Sequence, residues 1–321
     1  MDIMRIHLLE PLRVPEEKIN ELAQPLIDAG HTFKYFDQKT TDTDELIARS
    51  KDADIITIAN NPLPDEVIEA NPNIQLINVA FTGVDHVNTK LASEHDIKVA
   101  NASGYANTAV SELVIGLVLG LYRQIPKSDA DVRLAEDFSG PFQGREIKGK
   151  TVGIIGTGKI GLETAKLFKA FGAHLVGYNR SEKEAAKDLG LEYLSLEEVL
   201  KTSDIVSVHL PLNEETKGFI GKGQLDLMKS DAILINAARG PIIDNQALAD
   251  KLNADEIAGA GIDVFDGEPP LDSDNPLLHA KNALLTPHIA FLSDESMDIR
   301  AQIAFDNIQA FIDGHPQNIM N

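Results

Sequence analysis

Thr151-Val152-Gly153-Ile154-Ile155-Gly156-Thr157-Gly158-Lys159-Ile160-Gly161 is the stretch on which the reading of this chain turns. Its first five residues form a short apolar, β-branched run, the pattern of a buried strand. Leu162 to Phe171 then reads as a helix, and His174-Leu175-Val176-Gly177-Tyr178 as a second strand. A glycine pattern alone is weak, and a structural turn is the ordinary alternative. Between a strand and a helix each glycine acquires a task. Gly156 permits the tight turn, Gly158 lets backbone approach a pyrophosphate, and Gly161 lets the helix pack on the strand. Lys159 and Ile160 of the loop join the glycines as candidate cofactor contacts, and the N-terminus of the helix that follows offers free N–H groups and a dipole end that favour a phosphate. The stretch therefore implies a dinucleotide cofactor.

The second strand ends in Tyr178-Asn179-Arg180-Ser181. An NAD site usually places Asp or Glu there to hold the ribose 2′-hydroxyl, yet no acid occurs from Gly172 to Ser181. Asn179 removes the repulsion toward a 2′-phosphate, and Arg180 can pair with one. The expectation is NADP(H). NAD(H) remains possible, with Arg180 then an exposed loop arginine.

Outward from this unit the pattern is repeated alternation of short β-branched runs and amphipathic stretches, which argues α/β architecture with parallel sheets covered on both faces. Strands are expected near 5–9, 32–36, 54–59, 74–79 and 98–100, and again near 151–155, 174–178, 205–210, 232–236, 257–263 and 283–286. A helix over Pro15–Ala29 has Pro15 in its first turn and Gly30 at its stop, and Pro25 should kink it or break it in two. The apolar helix from about Thr108 to Arg123 can be capped by Asn107 or Thr108. Glu136 to Lys150 reads as a connector, Ser195-Leu196-Glu197-Glu198 as a capping box, and Asp294 to Phe311 as a closing helix. At 321 residues, two domains are expected.

Fifty acidic against 29 basic residues give a net charge of −21, which opposes binding to a nucleic-acid backbone. The chain has no cysteine, which excludes disulfides and thiolate sites and is compatible with a reducing compartment. Met1-Asp2-Ile3-Met4-Arg5 lacks the basic-then-apolar signature of a signal peptide, and the apolar run Leu113 to Tyr122 is far short of the ~20 residues of a membrane span. The expectation is a cytoplasmic protein with no membrane and no nucleic-acid partner. No His/Asp/Glu cluster has metal-ligand spacing, so no metal is expected.

Three polar residues follow expected strands in the last third. Arg239 follows Ala232–Asn236, Glu268 follows Gly261–Phe265, and His288 follows Ala283–Pro287. Ligands of open parallel sheets bind outside the carboxyl ends of strands. Arginine's planar fork suits a carboxylate and can polarise a neighbouring ketone. Histidine is the side-chain type that exchanges protons near neutrality, and a carboxylate beside it would stabilise the imidazolium and orient the ring. Singly, each is an ordinary surface or structural residue. Together, after a dinucleotide motif, they suit hydride transfer to a small 2-oxoacid.

Several strings carry a resemblance: Val79-Ala80-Phe81-Thr82-Gly83-Val84-Asp85, Lys148 to Gly156, Val208-His209-Leu210-Pro211-Leu212, Ile235-Asn236-Ala237-Ala238-Arg239-Gly240, Asp263-Val264-Phe265 with Glu268-Pro269, and Thr286-Pro287-His288-Ile289. Over nearly its whole length the chain resembles the D-isomer-specific 2-hydroxyacid dehydrogenase family. That resemblance implies a flavodoxin-like substrate domain of 1–100 and 293–321, with a Rossmann nucleotide-binding domain, 101–292, inserted. It implies catalytic Arg239, Glu268 and His288, with Gly83 and Val84 holding the substrate carboxylate through backbone N–H groups. Cofactor contacts extend to Leu210 and Pro211, and Ala237 matches a position that presents its carbonyl to the carboxamide. Thr108 and Thr216 touch the cofactor or, for Thr108, cap a helix. Asp263 either lies near the nicotinamide or caps local backbone, and His209 reads as structural. A homodimer built around the Thr108–Tyr122 helix is implied.

The substrate expected is small and uncharged in its side group. Glu268 stands where formate dehydrogenase-like sites have glutamine, and Asn60-Asn61-Pro62 where a phosphoglycerate enzyme offers a basic residue. Glyoxylate and hydroxypyruvate lead. D-lactate or larger 2-oxoacid dehydrogenation is the alternative. A dinucleotide-sensing interaction protein is the alternative from another class.

Overall fold

The computed structural model describes residues 3–134, 142–267 and 270–321. Glu268 and Pro269, and residues 135–141, which include the start of the connector expected from Glu136, lie outside the described residues. The chain divides into two compact units, Met1–Ala106 with Leu292–Asn321, and Asn107–Phe291.

The first unit holds β1 (Arg5–Leu8), β2 (Thr32–Tyr35), β3 (Ile55–Ile58), β4 (Leu76–Val79) and β5 (Lys98–Asn101). They form one parallel sheet in the order β2-β1-β3-β4-β5. Every residue of β3 and β4 is buried, as in a sheet covered on both faces. The closing helix, Asp294–Ile312, packs Ala301, Ala304, Phe305 and Ile308 into the same core as Ile6, Leu8 and Ile19. Buried Asn78 on β4 locks it there. The Asn78 amide donates to the Ala304 carbonyl at 2.9 Å, and its oxygen accepts from Asn307 at 3.1 Å. Thus both chain ends build one unit.

Of the kink or break expected at Pro25, the break does not occur: the helix Glu16–Asp28 runs through it as one element. Pro25 lacks an N–H, but Ile19, Ala23 and Leu26 are buried along one face, and tertiary packing of an apolar face outweighs one lost backbone bond.

The second unit holds β6 (Thr151–Ile155), β7 (His174–Tyr178), β8 (Glu192–Tyr193), β9 (Ile205–Val208), β10 (Ile233–Asn236), β11 (Gly259–Ile262) and β12 (Ala283–Leu285). The sheet is parallel throughout, in the order β12-β11-β10-β9-β6-β7-β8. From β6 the order is doubly wound, with the switch point between β6 and β9, the Rossmann arrangement. One core cluster gathers Val206, Leu234, Leu248 and Ile262, and another gathers Val118, Ile154, Phe168 and Ile235. The apolar helix Asn107–Tyr122 belongs to the second cluster. It lies so close that a Cβ on Gly261 of β11 would stand 3.0 Å from the Leu117 Cβ. Among the described residues, no single helix is long and apolar enough to cross a membrane.

Candidate active site

The glycine loop leaves β6 at the switch point. Gly156 has φ +96°, and a Cβ there would meet the His209 carbonyl oxygen at 2.6 Å. Gly161 is packed more tightly still, since its Cβ would fall 2.0 Å from the Gly156 carbonyl oxygen. Around Gly158 nothing lies within 4 Å of an added Cβ. Two glycines are thus required by the protein's own packing and the third faces open space, the division of labour of a pyrophosphate cradle. The helix Lys159–Ala170 starts there with Gly158 as N-cap and no capping side chain, so Lys159 and Ile160 open a first turn whose N–H groups suit a phosphate. These residues fit a dinucleotide.

At the end of β7, Asn179 is built into the loop. Its Oδ1 accepts from the Thr157 N–H at 3.3 Å and its amide donates to the Ser181 carbonyl at 2.6 Å. Arg180 pairs with Glu215 at 3.2 Å, both largely exposed. Leu210 and Pro211 follow β9, on the other side of the switch point. The Thr216 hydroxyl donates to the Pro211 carbonyl at 2.6 Å, closing the loop between them. Thr108 is exposed in the first turn of its helix, where its carbonyl accepts from the Ser111 hydroxyl. His209, just after β9, is linked through Nε2 to the Ser207 hydroxyl at 2.8 Å, and burial pushes its pKa down to about 4. It is a neutral structural imidazole under the glycine loop.

β10, β11 and β12 are consecutive neighbours, so the loops leaving their carboxyl ends are neighbours too. The first carries Ala237, Ala238 and Arg239. Buried Asn236 shapes it: its oxygen accepts from the Ala238 N–H at 3.0 Å and its amide donates to the Arg239 carbonyl at 2.9 Å. Arg239 is half-buried, with one guanidinium nitrogen on the Ala238 carbonyl at 2.8 Å. A Cβ at Gly240 would overlap the Phe265 carbonyl, 1.8 Å away, so glycine is what lets the β10 loop press against the β11 loop.

Asp263 follows β11 and is fully buried. Oδ1 accepts from the Thr286 hydroxyl at 2.6 Å and the Ile289 N–H at 2.9 Å, and Oδ2 accepts from the Ala290 N–H at 2.9 Å. Its backbone oxygen accepts from the His288 N–H at 2.8 Å. Of the two roles the sequence left open, the geometry displays the second: Asp263 anchors the turn that carries His288. Desolvation raises the Asp263 pKa, against the three hydrogen bonds and the nearby His288, which favour the charged form. His288 sits at φ 54°, a left-handed conformation that this anchoring sustains, and its ring meets Phe291 edge-on at 5.5 Å.

Gly83 and Val84 belong to the first unit, in the loop after β4. Asn101 braces the start of that loop through the Thr82 carbonyl at 2.7 Å, and the Val87 N–H closes it on the Val84 carbonyl at 3.0 Å. Among the described residues no cluster of three or more His, Cys, Asp or Glu is placed to hold a metal. Sequence reasoning missed Asn236 and Tyr193. Asn236 carried a signal, a polar residue closing a buried apolar run. Tyr193 carried none.

Residues 115–290 match the model for the NAD binding domain of D-isomer specific 2-hydroxyacid dehydrogenases. The chain is 36% identical over 298 residues to a hydroxypyruvate reductase of Blautia hydrogenotrophica, covering 91% of this chain and 92% of that protein. It is 36% identical over 304 residues to a glyoxylate reductase of Aeropyrum pernix, covering 90% of each. Among solved structures it superposes with a TM-score of 0.88 on an acyclic imino acid reductase in complex with NADPH and D-Arg, at 30% identity over 99% of this chain and 100% of that one. The chain belongs to the D-isomer specific 2-hydroxyacid dehydrogenase family. It is a nicotinamide-linked oxidoreductase of 2-hydroxyacids, with a Rossmann cofactor domain.

Proposed function

We propose that this enzyme reduces glyoxylate or hydroxypyruvate with NADPH. The observation that carries the reading is the convergence, at three adjacent strand ends, of Arg239, the Asp263 anchor and the His288 turn, in the unit whose glycine loop fits a dinucleotide. Two relatives named for these reductions support the substrate class. The absence of an acid at Asn179-Arg180-Ser181 supports the cofactor, as does the NADPH complex of a similarly folded reductase.

The reduced nicotinamide, when bound, supplies the hydride. Arg239 takes the substrate carboxylate in its fork and polarises the ketone oxygen. As that oxygen gains negative charge, His288 gives it a proton, leaving the 2-hydroxyacid. Glu268 is assigned to support the imidazolium form of His288 that stands ready before this transfer. Gly83 and Val84 are assigned to the carboxylate, and Leu210, Pro211, Thr216, Ala237 and Thr108 to the cofactor, on the resemblance. By the same assignment Asn107–Phe291 is the cofactor domain and the other unit the substrate domain.

The test is steady-state reduction of glyoxylate, hydroxypyruvate, pyruvate and 2-oxoisocaproate, each with NADPH and with NADH. NADPH-dependent turnover of one of the first two is expected. Preference for pyruvate or 2-oxoisocaproate replaces the substrate assignment. Activity with NADH alone discards the cofactor assignment. NADPH binding without turnover favours a sensor.

A further inference from the structure

We propose that Tyr193 is a positioning residue for cofactor choice, its hydroxyl bracing the Asn179–Lys183 loop against the glycine loop so that the loop stands ready for a 2′-phosphate. The assignment deepens the NADP(H) preference proposed above and rests on it.

Tyr193 reaches this place through β8, a strand of two residues. Gly177 of β7 pairs with Tyr193 in register, and Leu191 packs over Gly177 so closely that a Cβ there would stand 2.9 Å from a Leu191 methyl. The Tyr193 hydroxyl accepts from the Lys183 N–H at 3.0 Å and lies 2.6 Å from the Thr157 hydroxyl. Thr157 is buried in the glycine loop, and its N–H donates to Asn179, whose amide donates to the Ser181 carbonyl. These bonds close a circuit: glycine loop, Asn179, Ser181, along the chain to Lys183, Tyr193, and back to Thr157. The Asn179 end of the loop is held by its own side chain. The Lys183 end is held to the glycine loop through the phenol oxygen.

The loop carries Arg180, whose partner Glu215 is a largely exposed residue on a distant segment, and such a pair restrains little. The restraint on the loop is therefore its backbone. A loop fixed beforehand spares the ordering cost when a ligand binds it. That saving matters for a ligand with a 2′-phosphate, which engages the loop, and little for one without.

Tyr193→Phe keeps the ring and removes the oxygen. In the full-length protein, calorimetric titration with adenosine 2′,5′-bisphosphate and with 5′-AMP reads the loop without turnover, and fluorescence titration with NADPH and NADH reads it with whole cofactors. The expected result is about tenfold weaker binding of both 2′-phosphorylated ligands, the weight of about one hydrogen bond, with less than about twofold change for the other two. Thr157→Val breaks the same circuit from the other side, should give the same pattern, and serves if the first variant fails to fold. Equal loss for all four ligands makes Tyr193 a general structural residue and overturns the proposal, as does no loss for any. A wild-type protein that binds the bisphosphate no better than 5′-AMP overturns the NADP(H) reading itself, and the proposal with it.

Discussion

Asp263 is held on every side by donors, and this decides what a change there does. Two N–H groups and one hydroxyl converge on its two oxygens, and a carboxylate is the one side chain of this size that accepts on both arms. In Asp263→Asn one arm becomes an NH2 facing a backbone N–H, so a buried donor loses its partner. That costs about 1–3 kcal/mol of stability, and it loosens the turn that aims His288. A misplacement of about 1 Å at a reacting group can cost 10²-fold in rate. The expected outcome is a kcat about 10²-fold lower with NADPH affinity nearly intact. Unchanged kcat in steady-state assays would show that the anchor does not position His288. His209 gives a second test, in pH rather than rate. Burial holds its pKa near 4, while in the unfolded chain histidine titrates near 6.5. As pH falls below about 6.5 the unfolded state gains a proton that the folded state refuses. Stability is then lost progressively until pH nears the folded value. By linkage, about 2 kcal/mol goes by pH 5. His209→Gln should lose less than the wild type between pH 7 and pH 5 in urea unfolding. Identical losses would mean that His209 is not the group responsible.

The glycine loop turns packing geometry into a contrast at the level of one element. Gly161→Ala must push a Cβ against the Gly156 carbonyl, so the loop has to open, and both melting temperature and cofactor affinity should fall. Gly158→Ala meets open space, so melting should barely move while the methyl obstructs the pyrophosphate and weakens cofactor binding by tenfold or more, about 1.4 kcal/mol. Equal melting losses in both variants would refute this division. The loop was legible in the sequence because its strand, turn and helix are contiguous. The larger strands were legible for a related reason: buried parallel strands are apolar runs, and they differ from expectation by a residue or two at their ends. What was not legible is what depends on distant partners. Glu192–Tyr193 is too short to show a period, and it is a strand because Gly177 leaves room for Leu191. Asp263 could be assigned to the cofactor or to backbone from sequence, because its donors lie 23 to 27 residues further on. At Pro25 a break was one of two outcomes expected, beside a kink, since the sequence does not display how firmly Ile19, Ala23 and Leu26 are buried.

For the whole molecule, the net charge of −21 makes two copies repel, so any self-association must draw on apolar surface. The helix Ile125–Arg133 has no buried residue, and Ile125, Val132 and the following Leu134 are 54%, 59% and 65% exposed. It continues from the apolar helix Asn107–Tyr122 after Gln124, which turns the chain with φ 53°. We propose that a second copy of the chain covers this face, giving a two-fold dimer. At low ionic strength the like charges oppose pairing, and salt screens them over about 8–10 Å at 0.10–0.15 M. A dimer held by an apolar patch should therefore tighten as salt rises, the opposite of one held by ion pairs. Val132→Asp places a further negative charge on the patch and should shift the equilibrium toward monomer, while leaving the fold intact because the side chain is 59% exposed. Light scattering across a concentration series, at low and moderate salt, reads both effects. A monomer mass for the wild type at working concentration refutes the dimer. A dimer indifferent to Val132→Asp places the interface elsewhere.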